Sequence, residues 1–451
     1  MRTINASPLL DGARFNSFHA RILFWCALII ICDGYDLVIY GVVLPSLMET
    51  WGLTAWQAGM LGSSALVGMM FGALFFGSLS DRIGRRKVIT LCVIMLCSFT
   101  ALNGLARTPE EFAIYRFLAG LGIGGVMPNV VALMNEYAPK KMRSTLVALV
   151  FCGYFMGGML SAGLGMLLIP SWGWPSVFFV AGVPLLLLPL LISQLPESIN
   201  FLIRKGKIEQ AQALLAKASP DYKPSASDEL TLSQGHAGKA TISQLFQNGR
   251  ALSTLMLWTA FFCSLLMVYA LSAWLPKLMQ SAGYDLSYGL SFLLVINFGA
   301  IVGTIGGGWL GDRIGINKVL LGFFVLGTLS LCLLALKTPL MLLYLLVAIA
   351  GAGIFATQVL ANACTAQFYP AHISSTGVGW ALGIGRLGAI SGPLLGGALQ
   401  ATQLPVHVSF LAFAVTGAVG ALAILLFILS QPRQAKTNLV GRPSQAKPVS
   451  G

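Results

Sequence analysis

The sequence predicts an all-α membrane protein: twelve transmembrane helices in two pseudo-symmetric six-helix bundles. Composition is the first of three observations behind that prediction. Of 451 residues, 56% are hydrophobic and only 10% are charged, and the mean hydropathy is +0.81. An ordinary soluble domain carries about 25% charged residues, so a water-soluble enzyme and intrinsic disorder are both excluded. The second is a series of stretches without Asp, Glu, Lys or Arg: 22–32, 50–80, 88–106, 117–135, 144–196, 251–276, 286–311, 319–336, 338–385 and 387–432. A spanning helix needs about 20 mostly apolar residues, so the longest of these hold two helices each. The third is an internal repeat. Residues 77–88 (GSLSDRIGRRKV) and 308–319 (GWLGDRIGINKV) match at eight of twelve positions with an offset of 231. The same offset carries Ala119-Gly120-x-Gly122-Ile123 onto Ala350-Gly351-x-Gly353-Ile354, and Pro139 onto Pro370.

The elements follow in order. Residues 1–21 are polar and read as a cytoplasmic N-terminus. The first apolar segment is of full spanning length, so no cleavable signal peptide is expected. The N-terminal six-helix bundle covers 22–194, with a turn at Ser171-Trp-Gly-Trp-Pro175 separating helices 5 and 6. Residues 195–250 form a polar, basic linker that contains Ser219-Pro-Asp-Tyr-Lys-Pro224. The C-terminal bundle covers 251–431, and 432–451 is a cytoplasmic tail. Parallel six-helix repeats with a site between them are an alternating-access arrangement. The 51 glycines, many at small-xxx-small spacing such as Gly153–Gly157 and Gly379–Gly383, allow close helix contacts in lipid.

Charge placement supplies the orientation. With a cytoplasmic N-terminus and twelve helices, all but five of the 28 Lys and Arg fall on the cytoplasmic side. Arg107, Lys277 and Lys337 fall outside, while Arg116 and Arg386 lie within helices. The net charge of +13 thus reports the positive-inside rule, and no nucleic-acid partner is expected. The eight cysteines show no CxxC or Cys/His metal spacing and read as small packing residues. No GxxxxGK[ST] occurs, so ATP is not the expected energy source. The four histidines (His19, His236, His372, His407) fall outside helix centres, and no nucleophile–base or metal constellation is visible; the chain is not read as an enzyme.

The loop Gly77-x-x-x-Asp81-Arg82-x-Gly84-Arg85-Arg86, with Arg116-x-x-x-Gly120-x-Gly122-x-Gly124 and Pro196-Glu197-Ser198, resembles the signature of the major facilitator superfamily along essentially the whole chain. Gly84 permits a tight turn, and the Asp/Arg cluster can pair with neighbouring helix ends. Gly77, Asp81, Arg82, Gly84, Arg85 and Arg86, with Glu136 pairing through Arg143 or Arg82, read as a cytoplasmic gate. Asp312 and Arg313 are its counterparts in the second half. There Ile316 and Asn317 replace two arginines and Gln367 replaces Glu136, so that half of the gate should be weaker. The alternative is that these charges serve topology alone.

Within that superfamily the chain is similar to the aromatic acid:proton symporters. The resemblance rests on Asp33-Gly34-Tyr35-Asp36, on Pro128-Asn129 with Asn135-Glu136, and on Gly385-Arg386-x-Gly388-Ala389-Ile390-x-Gly392-Pro393. The texture of helix 1 (DGYDLVIYGVVLP) most resembles benzoate transporters.

Asp33 and Asp36 lie one helical turn apart, and Asp33 is twelve residues beyond Arg21, about 18 Å into helix 1. An ionisable residue near mid-membrane costs about 2.5–3.5 kcal/mol on insertion scales and is functional by default. The pair reads as the proton-coupling site. A structural pair satisfied by arginine, or a monovalent-cation site, are the alternatives. Arg386, about twelve residues into helix 11, offers a bidentate fork to a substrate carboxylate. Arg116 is either a second substrate ligand or a structural or gate residue. Tyr35, Asn129, Phe155, Tyr269 and Trp380 are candidate substrate contacts. Phe151, Trp258, Phe262, Trp274, Asn297 and Asn362 are weaker ones, with Trp274 read as an interfacial anchor.

The expected function is proton-coupled import of an aromatic carboxylate, most of all benzoate, across a bacterial inner membrane. Uptake of a lone anion opposes an inside-negative potential at about 2.3 kcal/mol per charge per 100 mV; one proton per monocarboxylate removes that penalty. No cofactor is expected, the proton gradient being the energy source, and the protein is expected to be a monomer in the lipid bilayer. Hydroxybenzoate, gallate, vanillate or muconate are alternative substrates. A passive facilitator is an alternative mechanism, and a transporter-like sensor a remote one.

Overall fold

A computed structural model describes residues 2–225, 228–231, 241–336, 338–402 and 404–431. Lys337, His236, the side chain of His372 and the tail 432–451 lie outside the described residues. The twelve apolar helices long enough to cross a membrane are, in chain order, Ser17–Trp51, Ala55–Ile83, Arg85–Asn103, Pro109–Tyr137, Arg143–Trp172, Pro175–Gln194, Ala251–Ser281, Leu286–Ile314, Ile316–Leu334, Leu340–Phe368, Ile373–Ala401 and Val406–Ser430. They are called helices 1–12 below. Helix 6 is broken: Pro175–Val180 is followed by a 3-10 turn, Val183–Leu187, and then by Leu188–Gln194.

The repeat offset of 231 holds to the residue at helix boundaries. Helices 2, 3 and 4 are 29, 19 and 29 residues long, and helices 8, 9 and 10 repeat those lengths at equivalent positions. Packing repeats as well. A Cβ on Gly120 would strike the Ala65 backbone, and a Cβ on the equivalent Gly351 would strike the equivalent Ile296 backbone. These glycines set how closely helices 2 and 4, and helices 8 and 10, approach.

The linker region carries short helices, Ile199–Arg204, Ile208–Ala218 and Ser243–Phe246. A short strand, Arg2–Asn5, pairs in parallel with Asp228–Thr231. The Asn16 side-chain amide donates to Lys217 O at 3.1 Å, and Ser253 at the start of helix 7 meets Ser430 at the end of helix 12 at 2.8 Å. The start of helix 1, the linker and the end of helix 12 therefore share one end of the bundle, called the termini end.

The two halves meet through helices 2 and 11, 5 and 8, and 1 and 7. Their contacts cluster from mid-bundle to the end away from the termini. Ser63 Oγ donates to Ile390 O at 2.7 Å. A Cβ on Gly59 would lie 2.8 Å from Pro393 O, and one on Gly158 would lie 2.6 Å from Asn297 Oδ1. Gly41 is pressed against the Ser272 backbone. Trp274 belongs to the same seal and corrects the interfacial-anchor reading: it is fully buried and its indole N–H donates to Pro393 O at 2.9 Å. A tryptophan near a helix end signals an interface by position alone, but here helix 11 covers it. At the termini end, Asp81, Arg82, Asp312 and Arg313 are exposed. Among the described residues none of the four has an ion pair across the halves.

Candidate functional site

The two aspartates of helix 1 stand in different surroundings. Asp36 is held inside the N-terminal bundle. Its Oδ2 accepts from Arg116 Nη1 at 2.8 Å, with both side chains 1% exposed. Thr100 of helix 3 donates its hydroxyl to Oδ1. Arg116 Nη1 also reaches the Asp36 carbonyl at 3.3 Å. Both Asp36 oxygens are thereby partnered, which makes a charged pair tolerable in apolar surroundings, although Arg116 Nε stays without a partner among the described residues. The geometry thus assigns Arg116 a partner in the protein.

Asp33 is fully buried, and neither carboxylate oxygen has a hydrogen-bond partner among the described residues. It lies within electrostatic reach of Arg386 and Asp36. The hydroxyls of Tyr154 on helix 5 and Tyr269 on helix 7 interact with each other and lie within reach of Asp33 and Arg386. The backbone here is tight, because a Cβ on Gly34 would strike the Tyr154 backbone. Helix 5 therefore lies directly against the turn that carries Asp33.

Arg386 sits half-buried at the fourteenth position of helix 11, where the halves touch. Its Nη1 meets Met69 Sδ at 2.9 Å. It forms no salt bridge with a carboxylate among the described residues. A thioether is a weak acceptor, and the other group interacting with the guanidinium is the Tyr269 hydroxyl, so no anion among the described residues holds it. Phe155, next to Tyr154 on helix 5, stands edge-on to Tyr154 at 5.5 Å and to Phe355 of the other half at 6.1 Å between ring centroids.

The remaining candidates fall elsewhere. Tyr35 is turned away from the halves' contact and donates to Val177 O of helix 6 at 2.7 Å. Asn129 donates to Gly125 O of its own helix at 2.8 Å, as Asn297 does to Leu293 O and Asn362 to Gln358 O. Trp380 stacks on Trp258 at 6.1 Å and is 40% exposed.

At the termini end, the loop between helices 2 and 3 is built around two glutamates. Glu136 pairs with Arg85 at 2.7 Å and accepts from Ser198 Oγ at 2.8 Å and Asn200 N at 2.8 Å. Its expected partners are corrected: Arg143 instead pairs with Asp11 at 2.5 Å, and Arg82 is exposed. Arg85 opens helix 3 directly beside the end of helix 4, so it reaches Glu136 first. Glu197 accepts from Arg86 N at 3.1 Å and Ser198 N at 2.9 Å. A carboxylate placed there supplies the cap that helix 3 lacks from its own N-cap side chain. Gly84 has φ +99°, and a Cβ there would collide with the Glu197 carboxylate. Gly315 has φ +93° but faces open space, and Asn317 is bonded within its own half to Gln431 and Cys364. Both glycines hold backbone conformations that cost another residue about 1–3 kcal/mol. Gly84→Ala is therefore expected to slow turnover several-fold more than Gly315→Ala, because only the first displaces a carboxylate. Equal initial rates in the two variants would reduce the effect to backbone strain.

Tyr154, Thr100 and Met69 were not legible as site residues. Each is an ordinary apolar-helix residue whose role arises from a partner on another helix. Glu197 lay within the quoted Pro196-Glu197-Ser198 motif, but its partners did not.

A two-bundle helical membrane fold with charged groups between and within the bundles is an architecture of membrane transporters. Family comparison matches residues 26–393 and 307–451 to the Major Facilitator Superfamily, and the chain belongs to that family. It is 46% identical over 94% of its length, and 93% of the relative's, to the benzoate transport protein of Acinetobacter baylyi. It is 35% identical to the gentisate transporter of Corynebacterium glutamicum, covering 91% of this chain and 88% of that one. It is 37% identical to the gallate transporter of Pseudomonas putida, covering 94% of each. The resemblance to aromatic acid transporters read from helix 1 is borne out by these relatives, and the protein is a multi-pass membrane transporter, not an enzyme. Among solved structures, the partially occluded inward open xylose transporter XylE from E. coli has a TM-score of 0.70 at 19% identity, covering 91% of this chain and 100% of that one. That likeness shows the fold.

Proposed function

We propose that this protein imports an aromatic carboxylate, benzoate first, together with a proton, by alternating access across a bacterial inner membrane with both termini cytoplasmic. The observation that carries the reading is the contrast between the two arginines within the helices. Arg116 is paired with Asp36, whereas Arg386 meets a thioether and the Tyr269 hydroxyl, has no carboxylate partner among the described residues, and lies within reach of Asp33. Under this orientation the structure is the inward-facing state, since the halves are joined away from the termini end.

The coupling then follows from one guanidinium shared by two anions. With Asp33 protonated, Arg386 is free for the substrate carboxylate, and the aromatic ring rests against Phe155 and the Tyr154–Tyr269 pair. After the substrate and proton leave inward, the Asp33 carboxylate takes over Arg386. That pairing removes the uncompensated charge, so the empty carrier can return. One proton accompanies each monocarboxylate, and the cycle is electroneutral. The protein needs no cofactor and acts as a monomer in this scheme. The 46% identity to a benzoate transport protein supports benzoate over gentisate or gallate.

Arg386→Lys tests the site. A point charge replaces a two-pronged fork, so the Kd for benzoate is expected to rise at least tenfold while the purified variant keeps its melting temperature. An unchanged Kd would remove Arg386 from the substrate site.

A further inference from the structure

Behind Asp36 lies a cavity of about 220 Å³ that belongs to neither the contact between the halves nor the termini end. Its lining comes from the N-terminal bundle alone, with Cys32, Tyr35 and Asp36 of helix 1, Cys97 and Thr100 of helix 3, and Leu187 of helix 6. The break in helix 6 at Ala181 and Gly182 and the 3-10 turn after it form the outer wall. At its mouth Leu160, Val183 and Leu187 are exposed, on helices whose flanks face lipid. The Cys32 and Cys97 thiols lie close to each other on its wall.

We propose that this cavity is a second binding site, for a small uncharged aromatic molecule that enters sideways from the bilayer. Three features select that chemistry. The cavity is larger than the apolar void of about 150 Å³ known to hold benzene or xenon. Two thiols and the Tyr35 ring offer sulfur–aromatic and ring contacts. The ionic groups at its end are already spent, since Asp36 is bonded to Arg116 and Thr100, Thr100 donates to Asp36, and the Tyr35 hydroxyl donates to Val177 O. No Lys or Arg is among the lining residues to hold a carboxylate, and the Asp36 charge repels one. The site therefore takes the neutral ring and rejects the anion, which is the reverse of the selectivity at Arg386.

The test is crystallographic, with bromine as the anomalous marker. Crystals of the full chain are soaked with bromobenzene or with 4-bromobenzoate. Bromobenzene is expected to give a peak between Cys32, Cys97 and Leu187, and 4-bromobenzoate none there. The peak should vanish in Ala181→Phe, which fills the cavity, and in Leu187→Trp, should the first fail to fold. In solution, toluene should raise the melting temperature of the wild type by several degrees more than that of the filled variant. No bromobenzene peak, entry of 4-bromobenzoate into the same cavity, or equal toluene shifts in both proteins would overturn the proposal. A failure of the transport reading shows separately, as the absence of 4-bromobenzoate from Arg386.

Discussion

Asp33→Asn is expected to abolish accumulation of benzoate against its gradient while leaving binding within a few-fold of wild type. The amide mimics the protonated acid in shape and neutrality, so Arg386 stays free for substrate. It cannot become an anion, so nothing replaces the substrate on Arg386 when the empty carrier must return. Net uptake driven by a pH gradient should fall to equilibration, whereas exchange of internal for external benzoate, which needs only the loaded carrier, should persist. The two assays on one variant separate coupling from binding. Gradient-driven accumulation at wild-type levels would take the proton from Asp33. The same substitution at Asp36 asks a different question, because that carboxylate already has a full set of partners.

Arg116→Leu is expected to have the largest effect on stability. It strands the Asp36 carboxylate at 1% exposure with one hydroxyl donor, and removing one member of a buried pair costs about 3–5 kcal/mol. The variant should express poorly or melt far below wild type. Adding Asp36→Leu removes the orphaned charge, and the double variant should recover much of the lost stability. A double variant no more stable than Arg116→Leu would mean that Arg116 acts through other contacts. If the double variant folds and still accumulates substrate, the pair is scaffolding; if it folds without accumulation, Asp36 shares the proton pathway.

The fold was legible because its causes are periodic and repeated. Charge-free length fixed the number of helices, and the 231-residue offset reappears in the helix ends and in the glycines that seat helices 2 and 8. The site was legible only in part. Buried charge is conspicuous in an apolar chain, so Asp33, Asp36, Arg116 and Arg386 stood out. How they divide was hidden, because it depends on Thr100, Tyr154 and Met69, which come from three other helices. Spacing on helix 1 put the aspartates on one face, yet three residues of rotation turn Asp36 toward helix 4 and leave Asp33 unpartnered. Glu136 met the same limit, since its partner follows from how helix 3 starts. The break in helix 6 that opens the lateral cavity had no clear signal beyond Pro184 and Gly182 inside an apolar run.

The central claim is that one guanidinium, Arg386, serves substrate and Asp33 in turn. The direct measurement is uptake of radiolabelled benzoate into proteoliposomes under an imposed inward proton gradient, with and without a membrane potential, against unlabelled hydroxybenzoates, gallate and muconate. Accumulation driven by the pH gradient, indifferent to the potential and blocked best by benzoate, is the expected result. Equilibration without accumulation would contradict the claim and make the protein a facilitator.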